Sequence, residues 1–185
     1  MGMRAKRLVT LFVLMPVVAF AQKQSSAYPR ETSAAMSTRD RNIQVILEIF
    51  RTLEERDPSR STVDEREEAP YQPDVEFRWP SALPYGGTFR GKDAAVWSAT
   101  WNPLQPTAVE RKMDPQVIGA DENQVVILYH QRGVSPSGDL FDGEVIGLYD
   151  MRDFKLSHAQ MFYFDEAALV QFLQRAAREL KETKR

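Results

Sequence analysis

Three successive stretches of alternating apolar and polar residues decide the fold: QVVILYHQRGV at 124–134, FDGEVIGLYDM at 141–151 and KLSHAQMFYF at 155–164. An alternation with a period of two is typical of strands that bury one face. The segments 135–139 and 152–154 between them are turn-like, so we expect an antiparallel meander. A further strand is predicted before them at 109–119, joined to the meander by a turn at 120–123.

Helices are predicted on both sides of this meander. Ser37 and Asp40 provide N-cap chemistry for a first helix, which Asp57-Pro58 ends. A short strand at 75–79 leads to a second helix that begins near Gly91, and Asp165 caps a final helix. The pattern predicts an α+β domain in which the helices cover one face of a curved antiparallel sheet.

The first 21 residues have the anatomy of a secretory signal peptide. Arg4, Lys6 and Arg7 precede an apolar run at 8–20, and Ala19-Phe20-Ala21 is a cleavage signal. We therefore expect an exported protein, periplasmic or extracellular, with an uncleaved membrane anchor as the alternative. The predicted organisation is a signal peptide at 1–21, a flexible tether at 22–37, a folded domain at 38–180 and a charged tail at 181–185.

Composition excludes several classes of function. The chain has 185 residues and no cysteine, so disulfides, thiol nucleophiles and cysteine-ligated metals are absent. With 24 basic and 26 acidic residues it carries no excess positive charge for nucleic acid. Gly86-Gly87 lacks the spacing of a phosphate-binding loop, and no His/Asp cluster has metal-ligand spacing. We expect no metal, no cofactor and no nucleic-acid partner.

Four segments carry a resemblance to a known family: YQPDVEF at 71–77, PYGGTFRGKDA at 84–94, SGDLFD at 137–142 with Val145 and Tyr149, and FYFD at 162–165 with Leu169 and Phe172. In their order and spacing they resemble the SnoaL-like, polyketide cyclase-like branch of the NTF2-like superfamily. Asp153-Phe154 departs from the Asp-Gly that is usual before the last strand of the family.

The resemblance implies a conical fold whose sheet wraps around a pocket closed by helices. Similar proteins include ketosteroid isomerases, limonene-epoxide hydrolases and polyketide cyclases, and others bind ligands or partners without known catalysis. Many are homodimers, so a homodimer is the expected assembly. Because one fold supports many functions, the resemblance does not identify the function of this chain.

Strand parity predicts which side chains face the pocket. If Asp153-Phe154 is a two-residue turn, Tyr149 lies opposite His158, and Tyr163 is on the outer face. A symmetric turn at 135–139 places Tyr129 near Gly143 and Ile127 near Val145. The inner face is then aromatic with a few neutral polar groups, as expected of a ligand cavity; it contains Ile127, Tyr129, Gln131, Phe141, Val145, Tyr149, Leu156, His158, Gln160 and Phe162. Gly143 and Gly147 on this face remove side-chain bulk, which favours an open cavity.

His158 is the leading candidate for proton chemistry, because imidazole titrates near neutral pH. It could take a proton from carbon next to a carbonyl, while Tyr149 or Tyr129 donates a hydrogen bond to the enolate oxygen. A neutral histidine paired with a tyrosine hydroxyl is the alternative interpretation. Asp74 is the best-placed carboxylate, with a turn or capping role as its alternative.

Asp142 and Glu144 lie two residues apart on one strand and share a side. If buried together, they could divide acid and base roles between them. The outer face of the sheet would instead leave them as a solvated edge, which we favour.

The predicted ligand-binding residues are Trp79, Trp97, Trp101, Tyr129, Gln131, Phe141, Val145, Gln160 and Phe162. Three functions fit the sequence. The first is an acid–base enzyme of the isomerase, cyclase or dehydratase type that acts on a small hydrophobic molecule without a cofactor. The second is a non-catalytic ligand-binding module, and the third is an interaction protein that uses the exposed sheet face.

Overall fold

The computed structural model describes residues 36–59 and 69–183. The predicted signal peptide and all but the last two residues of the predicted tether lie outside the described residues. Within these residues, four α-helices and six strands follow in chain order. They are α1 (Thr38–Glu55), β1 (Tyr71–Trp79), β2 (Gly87–Arg90), α2 (Ala95–Trp101), α3 (Ala108–Arg111), β3 (Gln116–Ala120), β4 (Gln124–Val134), β5 (Leu140–Arg152), β6 (Lys155–Tyr163) and α4 (Glu166–Thr183).

The six strands form one curved, unclosed sheet in the order β2-β1-β6-β5-β4-β3. β1 pairs with β6 in parallel, and every other neighbouring pair is antiparallel. The predicted α+β class and the predicted meander are therefore confirmed. None of the helices within 36–59 and 69–183 is long and apolar enough to span a membrane.

The long helices begin at the predicted caps. The Asp40 N–H donates to Ser37 Oγ at 3.1 Å, and the Ala168 N–H donates to Asp165 Oδ1 at 2.9 Å. These bonds satisfy N–H groups that the first helical turn leaves without partners. α1 ends at Glu55, just before the predicted stop at Asp57-Pro58. α4 continues to Thr183, so the described part of the predicted charged tail is helical.

The strand predicted at 109–119 is wrong in its first half. Thr107 and Glu110 form a capping box, in which Thr107 Oγ1 accepts from the Val109 N–H and Glu110 accepts from the Thr107 N–H. This reciprocal pair stabilises the single turn of α3, and only 116–120 is extended. The short strand β2 was not predicted; all four of its residues pair with β1, beginning with Gly87.

A bulge in β6 reverses the predicted parity of that strand. Arg152 pairs with Lys155, as expected of a two-residue turn at Asp153-Phe154. Met151 then pairs with Leu156, but Asp150 pairs with His158, so Ser157 is an extra residue. The Ser157 hydroxyl donates to the Asp150 carbonyl at 2.9 Å and holds the bulge in place. The predicted pairing of Tyr149 with His158 is therefore wrong, because Tyr149 pairs with Ala159.

Between β4 and β5 the predicted register is two residues out but the parity is right. Tyr129 pairs with Val145 rather than Gly143, and Ile127 pairs with Gly147 rather than Val145. A shift of two residues keeps every side chain on its face, whereas a shift of one moves it to the other face. The inner face predicted for these two strands is thus the face that the structure buries.

Candidate functional site

The inner face of the sheet is an aromatic surface that packs against the helices. Tyr129 and Tyr149 on β4 and β5 are only 6% and 7% exposed. Both rings meet Phe50 of α1 edge-on, with ring centroids 5.0 and 6.0 Å apart. Val145 pairs directly with Tyr129 in the register and is fully buried. Edge-on ring contacts of this kind add to the stabilisation from buried area.

A second group of rings continues this surface toward α2 and α4. Tyr85 contacts Trp79 edge-on at 5.8 Å and Trp101 at 6.5 Å, measured between ring centroids. Phe172 of α4 stacks on Trp101 at 6.5 Å and on Phe141 at 5.3 Å. The rings therefore connect the inner face of the sheet with both helices.

Two glycines on β5 make room for these rings. A Cβ built on Gly147 would lie 2.3 Å from the Tyr149 hydroxyl oxygen, and one built on Gly143 would lie 2.6 Å from Phe141 Cζ. Real Cβ atoms do not approach other atoms so closely, so the rings lie over the bare glycine backbone. Gly143 and Gly147 do remove bulk, as expected, but in this structure aromatic rings fill the space.

The tyrosine hydroxyls are the main polar groups of this interior. Tyr85 and Tyr163 share a hydrogen bond of 3.1 Å. Burial raises the pKa of Tyr85 to about 12, and it raises the pKa values of Tyr129, Tyr149 and Tyr163 as well. Burial disfavours the phenolate, so these four groups stay neutral at physiological pH and act as hydrogen-bond donors or acceptors.

Gln131 is the one buried amide on the inner face of β4. Its side chain is 0% exposed, and neither Nε2 nor Oε1 has a hydrogen-bond partner among the described residues. Most buried polar atoms in proteins are paired, so an unpaired amide indicates a missing partner. No charged residue occupies the inner-face positions of β4, β5 and β6. These are the alternate positions from Val125 to Gly133 on β4 and from Phe141 to Met151 on β5, together with Leu156, Ala159, Met161 and Tyr163 on β6.

The structure brings together most of the predicted ligand-binding residues but not the predicted catalytic ones. Trp79, Trp101, Tyr129, Gln131, Phe141, Val145 and Tyr149 all face the interior. His158, Gln160 and Phe162 lie on the outer face, opposite to their predicted placement, because the Ser157 bulge turns them outward.

Asp74 and Trp97 stand apart from the inner face of the sheet. Asp74 is exposed near the start of β1 and forms an ion pair with Arg152 at 2.5 Å. Trp97 is partly buried, with the Arg56 guanidinium carbon 5.2 Å from its ring centroid. Tyr149, His158 and Asp74 therefore occupy three different environments.

Both histidines lie on the outer face, each with a carboxylate of β5. His130 Nδ1 is 2.6 Å from Asp142 Oδ1, and His158 Nδ1 is 3.0 Å from Asp150 Oδ2. Arg132 also donates to Asp142 at 2.9 Å. Partial burial opposes ionisation of Asp142, but the hydrogen bonds from His130 and Arg132 prevail and lower its pKa. The favoured interpretation of Asp142 and Glu144 as an exposed edge agrees with their placement.

Tyr85 and Tyr163 belong to the interior but were not among the predicted site residues. Tyr163 was assigned to the outer face, and the Ser157 bulge turns it inward. No local sequence signal marks that bulge. Tyr85 lies in the loop before β2, so strand periodicity could not place it; its position beside the Gly86-Gly87 turn was the only indication.

The described residues also form two surface depressions outside the aromatic interior. One, of about 380 Å³, lies between α3 and β4 beside Arg132. The other, of about 330 Å³, lies between the first turn of α1, the β3–β4 turn and the β5–β6 turn. Neither is lined by Tyr129, Gln131 or Tyr149.

Solved structures share this fold at low sequence identity. TerC, co-crystallised with polyporic acid, is 20% identical with a TM-score of 0.57, and the match covers 72% of this chain and 98% of TerC. A putative SnoaL-like polyketide cyclase from Jannaschia sp. CCS1 is 15% identical with a TM-score of 0.57, covering 72% and 92% of the two chains. An NTF2-like protein of unknown function from Burkholderia pseudomallei is 19% identical with a TM-score of 0.55, covering 75% and 98%.

These matches define the class of the fold. No protein-family model matches the sequence, and no curated protein matches it. The chain has the NTF2-like fold, which it shares with SnoaL-like polyketide cyclases, as the sequence resemblance predicted. At these identities the likeness extends to the fold alone, so function has to be argued from the interior itself.

Proposed function

We propose that the domain is a binding module for a small, uncharged, hydrophobic molecule held between the inner face of the sheet and the helices. The carrying observation is the composition of that face: aromatic rings, neutral hydroxyls and one unpaired amide, with no charged residue on the inner faces of β4, β5 and β6. Such a surface stabilises apolar ligands and orients them with a few polar contacts. TerC, of the same fold, was crystallised with a small molecule, which supports the proposal.

The geometry favours binding over acid–base catalysis by the predicted residues. An enolising enzyme needs a base within hydrogen-bond reach of the proton it removes. His158 lies across the sheet from Tyr149, and Asp74 is paired with Arg152 at the surface. The interior tyrosines have raised pKa values, so none supplies a base near neutral pH. The non-catalytic alternative is therefore the function that we carry forward.

The test begins with native mass spectrometry of the protein purified from its source, where a retained small molecule is expected. Binding of neutral aromatic compounds is then followed by the fluorescence of Trp79 and Trp101, which are buried in the interior. An inner-face site predicts that Phe141→Ala changes the affinity and that Phe162→Ala, on the outer face, does not. Loss of binding in Phe162→Ala alone, or no binding by any compound, would contradict the proposal.

We also propose that a second copy of the chain covers the outer face. Its centre is a group of partly exposed apolar side chains, contributed by Val126, Leu128, Ile146, Leu148 and Phe162. Phe162 is 48% exposed, and the charged His130–Asp142 and Asp150–His158 pairs lie toward the two ends of β5. An apolar centre with a polar rim is typical of protein interfaces.

Light scattering coupled to size exclusion tests this assembly. Phe162→Arg places a charge at the centre of the apolar group and should give a monomer. Gln174→Arg adds the same charge on the exposed side of α4 and should leave the dimer intact. A monomeric parent protein, or a Phe162→Arg dimer of unchanged stability, would refute the proposal.

We propose export as the cellular route, on the basis of the n-region, apolar run and cleavage signal at 1–21. Expression of the full chain in a bacterial host should give a periplasmic product that begins at Gln22. A product that retains residues 1–21 in the membrane fraction would favour the uncleaved anchor, and one in the cytoplasm would contradict export.

A further inference from the structure

Gln131 is a buried amide on the inner face of the sheet whose two polar atoms are both without hydrogen-bond partners among the described residues. The side chain is fully buried, and neither its donor, Nε2, nor its acceptor, Oε1, has a partner within 36–59 and 69–183. Burying a polar group without a hydrogen bond is unfavourable, so such a group is retained where something else completes it. An ordered water and a ligand are the two candidates.

The surroundings of Gln131 favour a ligand. Gln131 pairs across the strands with Gly143, which has no side chain of its own. The ring of Phe141 lies over Gly143, the cross-strand partner of Gln131. Phe141 is partly exposed, whereas its neighbours Trp101 and Phe172 are buried. Rotation of the Phe141 side chain would therefore open a space bordered by Gly143 and Gln131 without moving the buried rings.

We infer that Gln131 is the hydrogen-bonding anchor of the bound molecule, that Phe141 moves aside to admit it, and that the molecule is an uncharged ring compound with a donor and an acceptor on adjacent atoms. A cyclic amide has this chemistry. A primary amide presents N–H and C=O side by side, so a cis-amide edge pairs with both through two parallel hydrogen bonds. The inference rests on the proposed function, since it names the class of ligand for the same interior site.

Three probes of similar size separate the anchor from general hydrophobic binding. 2-Quinolinone has the adjacent N–H and C=O, N-methyl-2-quinolinone lacks the donor, and naphthalene lacks both groups. The parent chain should bind 2-quinolinone at least about tenfold more tightly than N-methyl-2-quinolinone, since a site that offers hydrogen bonds discriminates against analogues that cannot make them. Affinities are measured by tryptophan fluorescence and calorimetry on the unmodified chain, so this comparison needs no variant.

Gln131→Met supplies the second arm, because methionine keeps the length of the side chain and removes both polar atoms. The variant should bind the two quinolinones equally, and its melting temperature without ligand should rise, since an unpaired buried amide has been removed. Phe141→Ala should speed association of 2-quinolinone, while Phe164→Ala, at an exposed phenylalanine, should leave it unchanged.

The outcomes distinguish this inference from the proposed function. Equal binding of all three probes by the parent chain would overturn the anchor and leave the hydrophobic site intact. Failure of all three to bind would count against both the site and its anchor. A lower melting temperature for Gln131→Met would show that Gln131 is already satisfied, for example by water, and would also overturn the inference.

Discussion

Alkaline pH should destabilise the protein through its buried tyrosines, and Tyr85 allows the size of the effect to be calculated. Its pKa is raised from 10.0 to about 12 in the folded state. The unfolded chain releases this proton first, so stability is intact below pH 10 and falls as pH rises toward 12. Each pH unit in that interval costs about 1.4 kcal/mol of unfolding free energy for one such group.

Urea denaturation at about pH 9 and pH 11, followed by tryptophan fluorescence, measures this loss. Between the two pH values, the unfolding free energy of Tyr85→Phe should fall by about 1.4 kcal/mol less than that of the parent, because the variant lacks the titrating group. At neutral pH the variant should be less stable by about 1 kcal/mol, since Tyr163 loses its hydrogen-bond partner. Phe164→Tyr is the control: Phe164 is 65% exposed, so the added phenol should titrate alike in both states. An equal loss in Tyr85→Phe and parent would refute the desolvation of Tyr85.

Two further predictions concern backbone positions. Gly133→Ala should lower the unfolding free energy by about 1–3 kcal/mol, because its Cβ would lie 2.9 Å from Cζ3 of the buried Trp101. Gly119→Ala, whose Cβ would have its nearest contact at 3.8 Å, is the control and should stay near the parent value in urea denaturation. Phe154, with φ of 58°, should tolerate Gly better than Ala by about 1 kcal/mol in the same assay. Both changes lose the ring contact with Arg41 at 3.8 Å, but only Gly relieves the left-handed strain; equal stabilities would contradict this.

Period-two patterning predicted the sheet well where the pattern is long and regular. The bounds of β4 agree with the sequence prediction, and the turn at Asp153-Phe154 forms although both residues adopt positive φ. The pattern failed where a local side-chain bond decides the backbone. The Thr107 capping box converts an apparent strand into a helical turn. The Ser157 bulge moves the side chains that follow it on β6 to the face opposite to the predicted one. Neither feature has a periodic signature.

The candidate site was likewise predicted correctly where the strands pair regularly and wrongly where a bulge intervenes. Tyr129, Gln131 and Tyr149 were placed correctly, because β4 and β5 pair without a bulge. His158 was misplaced because one extra residue moves every later side chain of the strand to the other face. The filling of the space over Gly143 by Phe141 depends on ring orientation, which periodicity does not specify.

The parallel pairing of β1 with β6 has a consequence for the order in which the protein can be built. β1 and β2 contact no strand other than each other until β6 arrives, and a lone two-stranded hairpin is at best marginally stable in water. Synthesis must therefore pass residue 163 before the first two strands gain their permanent neighbour. Formation of the β1–β2 half of the sheet is therefore coupled to completion of the β3–β6 half.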